Sequence, residues 1–69
     1  SDDAVVLARI YSITGQLVRV LENASKPVGY HQLVWEGTDG DYKPVSSGEY
    51  ILVIKAGKHQ FKQKMLYLK

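Results

Sequence analysis

The stretch Glu49-Tyr50-Ile51-Leu52-Val53-Ile54-Lys55-Ala56-Gly57-Lys58-His59-Gln60-Phe61-Lys62-Gln63-Lys64-Met65-Leu66-Tyr67-Leu68 decides the fold. Its first half is β-branched and aromatic, the composition that suits a pleated surface. Side chains of a strand alternate between faces. Tyr50, Leu52, Ile54 and Ala56 therefore share one face, while Phe61, Gln63, Met65 and Tyr67 oppose Lys62, Lys64, Leu66 and Leu68. Gly57-Lys58 interrupts the two runs with a residue that tolerates positive φ. The pattern predicts strands over 49–56 and 59–68 joined by a tight turn.

Working towards the N-terminus, residues 5–11 (Val-Val-Leu-Ala-Arg-Ile-Tyr) read as another strand. Val6, Ala8 and Ile10 lie on one side, with Val5, Leu7, Arg9 and Tyr11 on the other. Thr14-Gly15 marks a turn, and residues 16–22 are the returning strand, with a bulge to reconcile its uneven alternation. Residues 23–27 are expected to be a loop, because Pro27 cannot donate to a ladder. A strand is predicted over 30–36, with His31, Leu33 and Trp35 on one face. Residues 37–47, rich in Gly, Pro and Ser, are turns, with a short pairing at Val45. No stretch carries a sustained i, i+3, i+4 apolar stripe, so no helix longer than a turn is predicted. Five or six short strands with frequent turns point to an all-β, antiparallel β-sandwich. Neither an internal repeat nor a low-complexity segment is present.

Sixty-nine residues make one small domain, expected to span 1–69. A chain this short buries only about 60% of the surface its unfolded form exposes. There is no cysteine, and hence no disulfide, thiol nucleophile or Cys-rich zinc site. Most apolar side chains are then needed for packing. No apolar run approaches the ~20 residues of a spanning helix. Nine Lys+Arg against seven Asp+Glu give a net charge of +2, unevenly placed. From Tyr50 onward there are five lysines and no acid, leaving the first 49 residues at −3 (four basic, seven acidic). Those lysines alternate with apolar residues, as on the solvent face of a strand guarded against edge-to-edge association.

Candidate chemistry is sparse. His31 and His59 are the side chains that titrate nearest neutrality. His31 falls on a predicted inward face, and neither histidine has a serine and an acid placed as a hydrolytic triad requires. Ser46-Ser47 lies in a turn outside any nucleophile elbow. Asp2/Asp3 and Asp39/Asp41 are not carboxylates held across a cleft. Glu36, Asp39 and Asp41 flank glycines and could offer oxygen ligands to calcium, yet they lack the spacing of a calcium loop and suit ordinary turns. For carbohydrate, Trp35, Tyr50 and Tyr67 fall on inward faces and leave only Tyr30 and Tyr42 as exposed rings. Nucleic acid would need a basic aromatic face of which only Lys62 and Lys64 beside Phe61 give a trace. We expect no catalytic residue, no cofactor, no metal and no nucleic-acid partner.

A series of short motifs points further. Residues 10–19 (Ile-Tyr-Ser-Ile-Thr-Gly-Gln-Leu-Val-Arg), 29–37 (Gly-Tyr-His-Gln-Leu-Val-Trp-Glu-Gly), 43–50 (Lys-Pro-Val-Ser-Ser-Gly-Glu-Tyr), 55–57 (Lys-Ala-Gly) and 64–69 (Lys-Met-Leu-Tyr-Leu-Lys) follow in order. Together they resemble the immunoglobulin-like domain of the flagellar hook-capping protein. They resemble still more the related C-terminal sorting domains of type IX secretion substrates. The family pattern carries Asp where Glu36 stands, and Gly where Tyr42 stands, changes expected to re-aim the turn. It also commonly begins with an extra strand that this chain lacks, which implies a fragment of a longer protein with one sheet edge open.

The resemblance implies a small immunoglobulin-like β-sandwich in which Trp35 and Tyr50 join the layers and Gly15, Gly37 and Gly48 mark reversals. It implies a non-enzymatic C-terminal module of a secreted bacterial protein, displayed on the surface of a Gram-negative-type cell. Its partners would be the outer-membrane secretion machinery, the passenger domain of the same chain and, through the open edge, a second copy. Recognition would concentrate on Lys64, Met65, Leu66, Tyr67, Leu68 and Lys69. The alternative is a structural accessory or spacer module, of the hook-cap type or appended to a surface enzyme, and after it a carbohydrate-binding module.

Overall fold

The computed structural model describes residues 3–27 and 34–69. Four strands account for most of them: β1 (Asp3–Ser12), β2 (Leu17–Pro27), β3 (Gly48–Ala56) and β4 (His59–Tyr67). All pairings are antiparallel, in one sheet of order β2-β1-β3-β4. The all-β antiparallel class expected from the alternation is therefore the class observed. Among the described residues the strands form a single sheet, and its second layer is the non-strand segment from Val34 onward.

The two hairpins follow from local chemistry. Gly57 has φ +61° and begins the two-residue turn closed by the Ala56–His59 pair, the glycine-first arrangement of a type II′ turn. At the β1–β2 turn Gly15 has φ +93°, and Ser12 N–H donates to Gln16 O at 2.8 Å. The Ser12 Oγ also accepts from Gln16 N–H at 3.2 Å.

The uneven alternation of β2 has the expected cause, and it occurs twice. Register shifts leave Leu21 unpaired between Glu22–Ala8 and Val20–Arg9, and Val18 unpaired between Arg19–Ile10 and Leu17–Tyr11. Each extra residue is a bulge that twists this edge strand and makes its free side a poorer template.

Two expectations need correcting. Residues 23–27 are not a loop: Asn23, Ala24, Ser25, Lys26 and Pro27 pair with Leu7 through Asp3. Pro27 is tolerated because β2 is an edge strand and the proline ends it, so its missing N–H interrupts nothing. Residues 34–36 are not strand. Gly37 turns the chain directly after them with φ +74°, and Trp35 packs on Tyr50 and Tyr67, so this stretch lies across the sheet face and not along a ladder. The remainder of that predicted strand, with Tyr30, His31 and Leu33, lies outside the described residues.

The core sits on the face shared by Ala8, Ile10, Leu52, Ile54 and Tyr50, as the pairs Ile10–Leu52, Ala8–Ile54 and Ser12–Tyr50 place them. Ala8 and Ile10 are completely buried, and Tyr50 is 7% exposed. The segment 34–47 crosses one end of this face. It is anchored to β2 by Gly40 N–H to Val18 O at 3.0 Å and closed on itself by a Thr38–Pro44 bridge. Val45 N–H donates to Gly37 O at 3.0 Å, the short pairing expected there.

Candidate functional site

Two groups of residues singled out by sequence meet at one place. Trp35 projects from the crossing segment, Tyr50 from β3 and Tyr67 from the last position of β4. Their ring centroids lie 5.1 Å apart for Trp35–Tyr50, 5.3 Å for Trp35–Tyr67 and 6.4 Å for Tyr50–Tyr67. The tilted and edge-on orientations are those that aromatic quadrupoles favour. The polar ends are also satisfied. Trp35 Nε1–H donates to Thr38 O at 2.8 Å, and Tyr50 Oη–H donates to Ser46 O at 2.7 Å. A tyrosine that enters a strand and bonds the backbone four residues upstream has the form of the tyrosine corner of immunoglobulin-like sandwiches.

Gly37 completes the cluster. It is buried with φ +74°, and a Cβ built on it would lie 2.6 Å from Tyr67 Cε1. The adjacent ring leaves no space for a side chain here, and the left-handed backbone disfavours one. Gly15 has no atom within 4 Å of a built Cβ, so its requirement is the turn alone. Around Gly48 there is equally open space at the entry to β3.

The rest of the candidate recognition segment is divided between the sheet and solvent. Tyr67 belongs to the cluster, and Met65, paired with Tyr50, is half-buried on the same face. Leu66 and Leu68 are 67% and 70% exposed. Lys64 Nζ reaches Glu49 Oε2 at 3.2 Å with both side chains largely solvated, a contact worth little. Lys69 N–H donates to Ser47 Oγ at 3.0 Å, tying the end of the segment to the start of β3.

Arg19 escaped the sequence reading. Its guanidinium donates to the carbonyl of Asp39 and reaches Thr38 Oγ1 at 3.5 Å. It also lies 4.3 Å from the centroid of the Tyr42 ring. This one side chain fastens the crossing segment to β2. No local pattern signals it, because its partners are about twenty positions away. Tyr42 itself has φ +61°, the left-handed conformation that glycine takes without strain. The turn therefore has a glycine-like backbone with tyrosine in place, and the stacked guanidinium holds the exposed ring.

Asp39 belongs to the same turn. Its Oδ1 accepts from Lys43 N–H at 3.0 Å and from Asp41 N–H at 2.9 Å. These two backbone bonds, Lys43 foremost, hold its carboxyl below the usual 3.8. Of the carboxylates considered for calcium, Asp39 thus has one oxygen engaged by the turn. Among the described residues no group of three or more His, Asp or Glu could hold a metal ion. His59 is exposed beside Phe61, ring centroids 6.5 Å apart, and His31 lies outside the described residues.

The sequence matches the FlgD Ig-like domain family over residues 1–60. The chain belongs to that family. The FlgD Ig-like assignment accounts for the tyrosine corner and the all-β sheet together. Residues 61–69, with the candidate recognition segment, lie beyond the matched span. No curated protein and no solved structure matches the chain significantly.

Proposed function

We propose that this chain is a structural accessory module, an Ig-like unit that spaces or supports neighbouring parts of a longer bacterial protein. Membership of the FlgD Ig-like domain family carries this reading. The disposition of its chemistry agrees with it: Trp35, Tyr50 and Tyr67 are spent on one another, and Asp39 and Arg19 on a turn. The module works outside the cytoplasm, secreted or on the surface of a Gram-negative-type cell. Its partners are adjoining domains of the same chain.

One observation favours a second reading, a C-terminal sorting signal read by outer-membrane secretion machinery. Leu66 in β4 and Leu68 just after it stand exposed, outside the family match. A secretion assay separates the two. The domain is fused behind a fluorescent passenger with a signal peptide, with and without residues 64–69, in a type IX-competent bacterium. A structural module leaves the passenger in the periplasm in both cases. Surface display that requires residues 64–69 would replace this reading with sorting.

A further inference from the structure

The sheet face opposite the aromatic cluster holds a trough of about 340 Å³ that no part of the crossing segment covers. Its floor is apolar: Leu7 and Tyr11 from β1, Ile51 and Val53 from β3, all half-buried. Its rim is cationic, with Arg9, Lys55 and Lys62, and no carboxylate contributes to its lining. Arg9 Nη1 donates to Tyr11 Oη at 3.2 Å, which holds the guanidinium over the floor. None of the three cations is in an ion pair with a described residue.

Register fixes the spacing of these charges. Arg9 and Lys62 flank Val53 from either side in one row across the sheet, about 10 Å apart at two strand spacings. Lys55 lies two residues along β3 from Val53, about 7 Å away, the repeat of alternate side chains on an extended chain. A phosphate headgroup would need cations converging on one point. Here they are spread around an apolar floor, so the complementary surface alternates carboxylates with apolar anchors.

We propose that this trough docks a protein partner through an extended acidic segment whose apolar side chains seat on Leu7, Tyr11, Ile51 and Val53. Its carboxylates meet Arg9, Lys55 and Lys62. Burying the apolar floor supplies the attraction, and the charges set orientation and exclude basic partners. The inference is independent of whether the module is a spacer or a sorting signal.

The test uses the whole chain, ¹⁵N-labelled, titrated with three acetylated and amidated heptapeptides. One carries Leu and Asp in turn at every second position with Ser between them (the Asp-Leu peptide), so that both types share a face of the extended chain; one has Lys in place of Asp, and one has Ser in place of Leu (the Asp-Ser peptide). The expected result is saturable binding of the Asp-Leu peptide alone, with Kd below about 1 mM. Amide shifts should centre on Leu7, Arg9, Tyr11, Ile51 and Val53. Salt should weaken the binding, and Lys55→Glu with Lys62→Glu should weaken it at least ~10-fold with the fold kept. Equal binding of the Asp-Ser peptide would reduce the face to unspecific charge and overturn the proposal. So would shifts along the outer edge of β4, or no binding of the Asp-Leu peptide at about 1 mM.

Discussion

Gly37 sits against the ring of Tyr67, the residue that ends β4, with no room for a methyl group between them. The crossing segment and the final strand are thereby keyed to each other across thirty positions of sequence. Gly37→Ala should cost about 1–2 kcal/mol from its left-handed φ alone. Displacement of the Tyr67 ring adds about 1–3 kcal/mol. Since ~1 kcal/mol moves the Tm of a domain this size by about 4–8 °C, calorimetry should show a fall well beyond that interval. A melting temperature unchanged in Gly37→Ala would show that the ring does not need this position.

Tyr50 separates a hydrogen bond from a ring. Tyr50→Phe keeps the contacts with Trp35 and Tyr67 and removes the bond to Ser46 O. It should destabilise by about 1 kcal/mol in urea unfolding. Tyr50→Ala removes the ring as well and should cost about 3–5 kcal/mol, which a domain of this size can rarely spare. Equal losses in the two variants would mean that the corner bond, not the ring, dominates.

At Tyr42, strain and stacking oppose each other. Tyr42→Ala keeps a side chain at positive φ and loses the Arg19 contact, worth about 0.5–1 kcal/mol at an exposed site. Tyr42→Gly loses the same contact but relieves about 1–2 kcal/mol of backbone strain. Denaturation midpoints should therefore place the glycine variant at or above the parent chain and the alanine variant below it. Identical midpoints for the two variants would remove the backbone argument.

Asp39 makes stability depend on acid. A carboxyl whose pKa is lowered by folding stabilises the folded state fully above its ordinary value of 3.8, and that contribution is lost as pH falls through the lower folded value. The parent chain should therefore be more stable than Asp39→Asn near neutrality. The gap should close on acidification below 3.8, when both side chains are uncharged. A gap that stays constant across that range would place the effect outside the carboxylate's ionisation.

Much of this fold is legible locally. β1, β3 and β4 follow from alternation, because which side of a strand faces the core depends only on neighbouring residues. The turns at Gly15 and Gly57 follow from the need for positive φ, and even the irregularity of β2 is visible in its broken alternation before the bulges are seen. Strand character at residues 23–27 is not legible. Proline excludes an interior strand, and only the sheet order reveals that β2 is an edge. Residues 34–36 lose strand character because Trp35 is drawn onto Tyr50 and Tyr67 across the sheet face, a contact with distant residues.

By itself, then, the sequence determined an all-β antiparallel chain, the residues that share a face of β1, β3 and β4, and the turns at Gly15 and Gly57. These depend on dihedral preferences and two-residue periodicity, which act within a few positions. Tertiary structure decided that Trp35, Tyr50, Tyr67 and Gly37 form one cluster and that Arg19 fastens the Asp39 turn. It also decided that Arg9, Lys55 and Lys62 rim one trough. Each of those joins residues from different strands or segments, and their meeting depends on the β2-β1-β3-β4 order and register. Neither is written in any single segment, because strand pairing is settled by the burial of all the strands together.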